Sequence, residues 1–208
     1  MSDINPLYLM AALSLLGLAP FFLMMGTSYV KIVVVTSLVR NALGVQQVPP
    51  TMVMNGLAII LSVFIMAPVA MDTADIVKNL TLPAQPGFTD ILDAADKASP
   101  PLRRFLAANS DEKVTNMFMG TARRIWPAER HDMISKDNLL IMIPAFTISE
   151  LTKAFQIGFV LYLAFVAIDL IISNILLAMG MMMVSPTTIS LPFKLLLGVV
   201  VGILLGLV

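Results

Sequence analysis

Apolar residues run in four blocks along the chain: from about Leu7 to Val39, Met52 to Met71, Leu139 to Val184 and Leu191 to Val208. A helix needs about 20 apolar residues to cross a bilayer, so the second and fourth blocks suit one helix each. The third block, 46 residues long, suits a helical hairpin or two half-helices. Period-2 alternation is missing, and only a closed barrel could carry strands through lipid, so sheets are not expected. The predicted fold class is all-α: apolar helical hairpins interrupted by a small soluble helical insert, built for packing in an oligomeric, membrane-associated complex. The blocks divide into an N-terminal apolar hairpin (1–71), a charged soluble insert (72–138) and a C-terminal apolar hairpin region with a methionine-rich loop (139–208).

Proline punctuates the apolar blocks at Pro20, Pro68, Pro144, Pro186 and Pro192. Each lacks a helix donor and is expected to kink or end its helix. Such interruption suits helices packed against protein, where broken backbone groups find partners. The insert reads as helical. Ser99 before Pro100 is an N-cap followed by a proline suited to the first turn, Asn109 followed by Glu112 repeats a start signal, and Pro83 to Phe88 reads as a loop. The first charge is Asp3, with no Lys or Arg ahead of the apolar run and no small-x-small cleavage site after it, so the N-terminus reads as a retained helix.

Composition sharpens this picture. Hydrophobic residues make up 58% of the 208 and charged residues only 12%, about half the usual share in soluble domains. Thirteen basic and thirteen acidic residues cancel, leaving no net field to attract nucleic acid. Ten of those acids, nine of those bases and the single histidine, His131, fall between Asp72 and Asp137. Outside that stretch the charges are Asp3, Lys31, Arg40, Glu150, Lys153, Asp169 and Lys194. Arg40 and Lys31 put the link between the first two blocks on the cytoplasmic side by the positive-inside rule, and the insert on the periplasmic side. Cysteine is absent, which removes disulfide and thiolate chemistry.

No catalytic constellation emerges, so the chain reads as a non-enzyme with no cofactor. His131 sits in a polar run and reads as a solvated surface residue, without the partners a triad or metal site would need. Nucleotide-binding motifs are missing. Thr147 and Glu150 fit a capping box, with Lys153 three residues on along the same face. The favoured reading is a helix start with an exposed ion pair; a charged contact between subunits is the alternative. Asp169 and Asn174 lie deep in the third block, where a charge costs ~3 kcal/mol on insertion scales and usually faces protein or water. They could form an ion or proton site, but bonds to a neighbouring helix are commoner. Met179 to Met183 is the most unusual run: methionine fills irregular gaps and can repack, Gly180 permits a turn, and Pro186 blocks helix continuation. A ring of such loops could close a pore by dewetting, although an ordinary apolar helix end ranks ahead on physics alone. Gly198, Gly202 and Gly206 place three glycines on one helix face, suited to close helix packing.

Three long segments then carry a resemblance. Arg40 to Pro50 (RNALGVQQVPP), Pro144 to Phe155 (PAFTISELTKAF) and Ile168 to Pro186 (IDLIISNILLAMGMMMVSP), in this order and with the four-block layout, resemble the SctR/FliP family of type III secretion and flagellar export gates. The likeness covers nearly the whole chain and is weakest in the insert. After Leu-Pro-Phe-Lys-Leu-Leu-Leu the family carries a polar, tryptophan-containing segment where this chain has Gly198 to Val208. The resemblance implies a pore subunit in the bacterial inner membrane that passes unfolded secreted proteins. It also implies a pentamer completed by SctS/FliQ-like and SctT/FliR-like subunits, alongside SctU/FlhB-like and SctV/FlhA-like components. By the same resemblance Met181, Met182 and Met183 match the loop that seals the closed pore, which reverses the preference from physics alone. The Gly-Met-Met-Met-Val-Ser-Pro match leans toward the virulence branch. Two rival functions are a secondary transporter or ion channel using Asp169 and Asn174, and an assembly scaffold that does not line the channel.

Overall fold

The computed structural model describes residues 10, 14, 17, 21, 24–45, 48–80, 83 and 87–204. Pro20, Pro86 and Gly206 therefore lie outside the described residues. The architecture is all-α, with no strand among the described residues. Helix α1 spans Tyr29–Leu43, α2 Thr51–Lys78, α3 Phe88–Ala98, α4 Pro100–Asn109 and α5 Glu112–Ile125; a 3-10 turn follows at Ala128–Met133, then α6 at Leu139–Ala178 and α7 at Pro186–Leu204.

The third apolar block is one helix rather than a hairpin or two half-helices. At 1.5 Å per residue, the 40 residues of α6 extend about 60 Å. Its start is set by Asn138, whose Oδ1 accepts from the Leu140 N–H at 2.9 Å, satisfying one of the orphan donors of the first turn. Thr147 and Glu150 are thus mid-helix and form no capping box. The Thr147 hydroxyl lies 2.8 Å from the Ile143 carbonyl, the back-bond available to a threonine inside a helix. The prolines are also gentler than expected. Pro68, Pro144 and Pro192 all sit inside continuous helices, each giving up one backbone bond without ending the helix. Pro186 opens α7, at the first helical position where its missing donor costs nothing.

The insert is helical, as its caps suggested, with two details changed. Ser99 precedes Pro100, but its hydroxyl donates to the Asp96 carbonyl at 2.6 Å and accepts from Arg103 at 2.8 Å instead of capping α4. The start signal for α5 is Asp111, which accepts from the Lys113 N–H at 2.7 Å; Asn109 closes α4 and donates to the Phe105 carbonyl at 2.8 Å. Leu106 is buried against Met142 and Phe146, with Leu102, Phe105, Leu139 and Ile143 around them. The Phe105 and Phe146 rings lie 5.6 Å apart and tilted by 54°, a favourable aromatic geometry. Fully burying such side chains contributes roughly 1.5–3 kcal/mol each, and here it fastens α4 to the start of α6. Around this core Arg103 bonds the Asp137 carbonyl at 3.0 Å and pairs with Asp96.

The chain forms two compact units, one from residues 1–32 and 57–152, the other from 33–56 and 153–208. In the first, the insert packs with the opening turns of α6. In the second, Gly158 of α6 lets α1 approach so closely that a Cβ there would collide with the Leu38 side chain. Both α2 and α6 are long and apolar enough to cross a membrane. Within the first unit Phe64 is 78% exposed and Ile60 is also exposed, and within the second Phe159, Val160 and Leu170 are exposed, more apolar surface than soluble monomers usually show.

Gly158→Ala should destabilise the chain by ~1–3 kcal/mol through overpacking, read as a lowered Tm in detergent. Gly120→Ala, in the open exposed face of α5, should stabilise it by ~0.5–1 kcal/mol through helix propensity; equal shifts would refute the close contact. At the other end of α5, the Lys136 ammonium bonds Glu112 at 2.8 Å and by that bond and its charge holds the carboxyl below the usual glutamate range. A depressed folded value means the bridge is present above the ordinary glutamate pKa and is lost as pH falls through the lowered one. Lys136→Met should raise the Glu112 titration midpoint in an NMR pH series, and no movement would show that the bridge is not formed.

Candidate functional site

Helix α6 ends in the methionine run. Gly180, at φ +74°, adopts the left-handed conformation that glycine takes without penalty. Its N–H donates to the Leu177 carbonyl at 3.0 Å, and the Met181 N–H reaches back to Leu176 at 2.9 Å. These two bonds form a Schellman cap, which satisfies orphan carbonyls and turns the chain out of the helix. Pro186 then restarts it as α7. Between these two ends Met181, Met182 and Met183 are 41%, 79% and 99% exposed. A loop this short, fixed at both ends and carrying three flexible apolar side chains outward, can present a soft hydrophobic surface to whatever faces it.

Close behind the loop lies a buried polar cluster. Lys194 of α7 has a side chain only 1% exposed, and its Nζ donates to Asp169 Oδ2 at 2.7 Å and to the Ala42 carbonyl at 3.0 Å. Ser190, one turn earlier on the same face, donates to Asp169 Oδ1 at 2.5 Å. Ala42 belongs to the last turn of α1, where carbonyls lack helical partners and a cation is favoured by the helix dipole. Three helices thus meet at one ammonium. Asp169 is engaged in this cluster, whereas Asn174 is exposed on the chain; the two do not make a joint buried site. Their spacing of five residues directs them to different sides of α6.

In the other compact unit Glu150 is buried, its side chain 3% exposed, and pairs with Lys31 of α1 at 2.6 Å. The expectation is an exposed helix start with Glu150 beside Lys153; Glu150 is instead buried mid-helix, with Lys31 of α1 as a partner whose side chain is 31% exposed. The neighbouring Thr147 hydroxyl is 2.9 Å from the Met25 carbonyl, and the Ser62 hydroxyl donates to Thr27 at 3.1 Å. The segment 25–31 is consequently tied by polar contacts on two sides. Ser149 joins the insert to the same stretch of α6, accepting from the Asp111 N–H at 2.8 Å. Lys153 lies beyond this group, in the second unit.

Gly198 has open space among the described residues where a Cβ would stand; Gly202 lies on the same helix. Gly158, missed in the sequence, is the glycine that brings helices together within the chain. Lys194 and Lys31 were missed as site residues too. Their signal was present: each is an isolated charge in an apolar run, and such a charge is retained only with a partner. His131 is exposed and contacts the Trp126 carbonyl at 3.1 Å. No group of three or more metal-ligating side chains occurs among the described residues.

Residues 12–205 match the model of the FliP family. The chain is 51% identical over 198 residues to virulence protein YscR of Salmonella typhimurium, covering 95% of this chain and 91% of that protein. It is 51% identical over 189 residues to Yop proteins translocation protein R of Yersinia pestis, covering 91% and 87%. With the hypersensitivity response secretion protein HrcR of Ralstonia nicotianae it shares 48% over 187 residues, 89% of this chain and 86% of that one.

Lys31→Met leaves the Glu150 carboxylate buried without its ammonium and should cost ~3 kcal/mol, seen as a lower Tm of the detergent-solubilised chain. An unchanged Tm would show that the pair carries no stability.

Proposed function

The chain belongs to the FliP family, and from that membership we propose that it is a pore-forming structural subunit of a type III protein-export gate in a bacterial inner membrane. Unfolded substrate proteins pass through the assembled gate, and the loop of Met181, Met182 and Met183 closes it between passages. The relatives' names speak of virulence, translocation and hypersensitivity-response secretion, which supports the virulence branch over the flagellar one.

The observation that carries this reading is the methionine loop. Its backbone is fixed by the Gly180 cap and Pro186, while its three methionines point away from their own chain. A rigid stalk with a pliant apolar tip is what a seal requires. The tips of several copies can close to a water-excluding constriction, and methionine side chains can repack around a passing polypeptide. The exposed apolar lengths of α2 and α6 fit a closed ring of subunits, a pentamer by the family resemblance, together with SctS/FliQ-like and SctT/FliR-like partners. The SctU/FlhB-like and SctV/FlhA-like components would adjoin it, and the charged insert would lie on the periplasmic side, opposite Arg40. In this setting the chain acts as structure, with no cofactor and no catalytic step, and energy for export comes from elsewhere in the machine.

Replacing Met181, Met182 and Met183 together by alanine should raise small-ion permeability several-fold in cells carrying the assembled apparatus, with complex recovery unchanged. An intact barrier in a normally assembled triple variant would remove the loop from the pore and favour the scaffold reading.

A further inference from the structure

The two helices that flank the methionine loop meet along strongly apolar faces. Ile168, Ile171, Ile172 and Ile175 of α6, with Phe193 and Leu196 of α7, line a groove of about 440 Å³ between them. Such faces hold helices together without specifying register, because the hydrophobic effect is non-directional and responds to area. Sliding α7 by one turn, about 5.4 Å, would exchange one isoleucine or leucine contact for another. It would also change how the loop is strung between the Gly180 cap and the start of α7. Something directional must choose among these registers.

We infer that Asp169, Ser190 and Lys194 are positioning residues that lock α7 onto α6 in one register and so fix the stance of Met181, Met182 and Met183. The geometry has the directionality that the apolar faces lack. Asp169 accepts at both oxygens, from Lys194 at 2.7 Å and from Ser190 at 2.5 Å. Ser190 and Lys194 stand four residues apart, on one face of α7. Asp169 lies 12 residues before Met181 and Lys194 lies 13 after it, so the lock spans the hairpin nearly symmetrically about its tip. A slip of one turn in either direction would strand an ammonium that is 1% exposed away from its carboxylate, and buried unpaired charge is strongly disfavoured. Lys194 also donates to the Ala42 carbonyl at 3.0 Å, which anchors the hairpin to the end of α1. A single buried polar contact fixing register in an apolar helix interface has physical precedent in coiled coils. That the register matters to a seal rests on the function proposed above; the register itself does not.

The chain has no cysteine, so labels at Ile171→Cys and Leu196→Cys, both exposed walls of the groove, report the α6–α7 distance without background. The assembled complex, with labelled subunits diluted among native ones, should give one narrow spin-label distance. In the double variant Asp169→Leu with Lys194→Met, no charge is left unpaired and the interface stays apolar. It should assemble, yet its distance distribution should broaden or acquire a second population shifted by about 5 Å, and the apparatus should leak small ions. One unchanged narrow distance in that variant would overturn the inference. Should the double variant not assemble, Asp169→Asn with Lys194→Met removes both charges more conservatively and serves instead: broadening supports the lock, and an unchanged distance overturns it. Broadening without a leak would uphold the lock and count against the methionine seal. A leak in the triple methionine variant beside an unchanged distance in the double variant would sink the lock and leave the seal standing.

Discussion

An ammonium group shielded from solvent by apolar helices is the constraint around which one compact unit is organised. Lys194 can remain charged at 1% exposure only where carboxylate and carbonyl oxygens replace its lost water, since an unpaired ion in such surroundings is prohibitively costly. Asp169, on a second helix, and the Ala42 carbonyl, at the end of a third, supply those oxygens. Hydrophobic packing could bring these helices together in many ways, but the charge accepts few of them. Directional polar contacts therefore define the arrangement, and apolar area supplies most of the adhesion.

The same division of labour recurs in the other unit. Leu106, Met142 and Phe146 provide the adhesion between the insert and the first turns of α6. Direction comes from Glu150 with Lys31 and from Ser149 with the Asp111 amide. Helix α6 is common to both sets of contacts. Over 40 residues it carries the Phe146 core contact, the Glu150 pair, the close approach at Gly158, the Asp169 cluster and finally the Gly180 cap. Pro144 does not interrupt it.

At that tip the rules reverse. Exposure of the three methionines rises from 41% at Met181 to 99% at Met183. In the proposed gate, a hairpin held by polar contacts and ending in adaptable apolar side chains would separate two requirements that must be met together. Position has to be reproducible from subunit to subunit, while the sealing surface has to yield.

Apolar block length, the absence of period-2 alternation and the clustering of charge between Asp72 and Asp137 determined the all-helical class, the charge-rich helical stretch between the apolar blocks and the turn at Gly180 and Pro186 from sequence alone. These are local properties, set by composition and by backbone geometry within a few residues. The tertiary structure decided what local patterns leave open. The pattern at Thr147 and Glu150 satisfies a capping box, yet Asn138 had already begun the helix, and Glu150 instead faces Lys31, 119 positions away in the chain. Lys194 reads as one charge in an apolar run until Asp169 and Ala42 are brought beside it. Gly158 carries no motif, while a Cβ at the GxxxG glycine Gly198 would meet nothing among the described residues. Pairing of distant charges and close approach of distant backbones depend on where whole helices come to lie, and no window of sequence contains both partners.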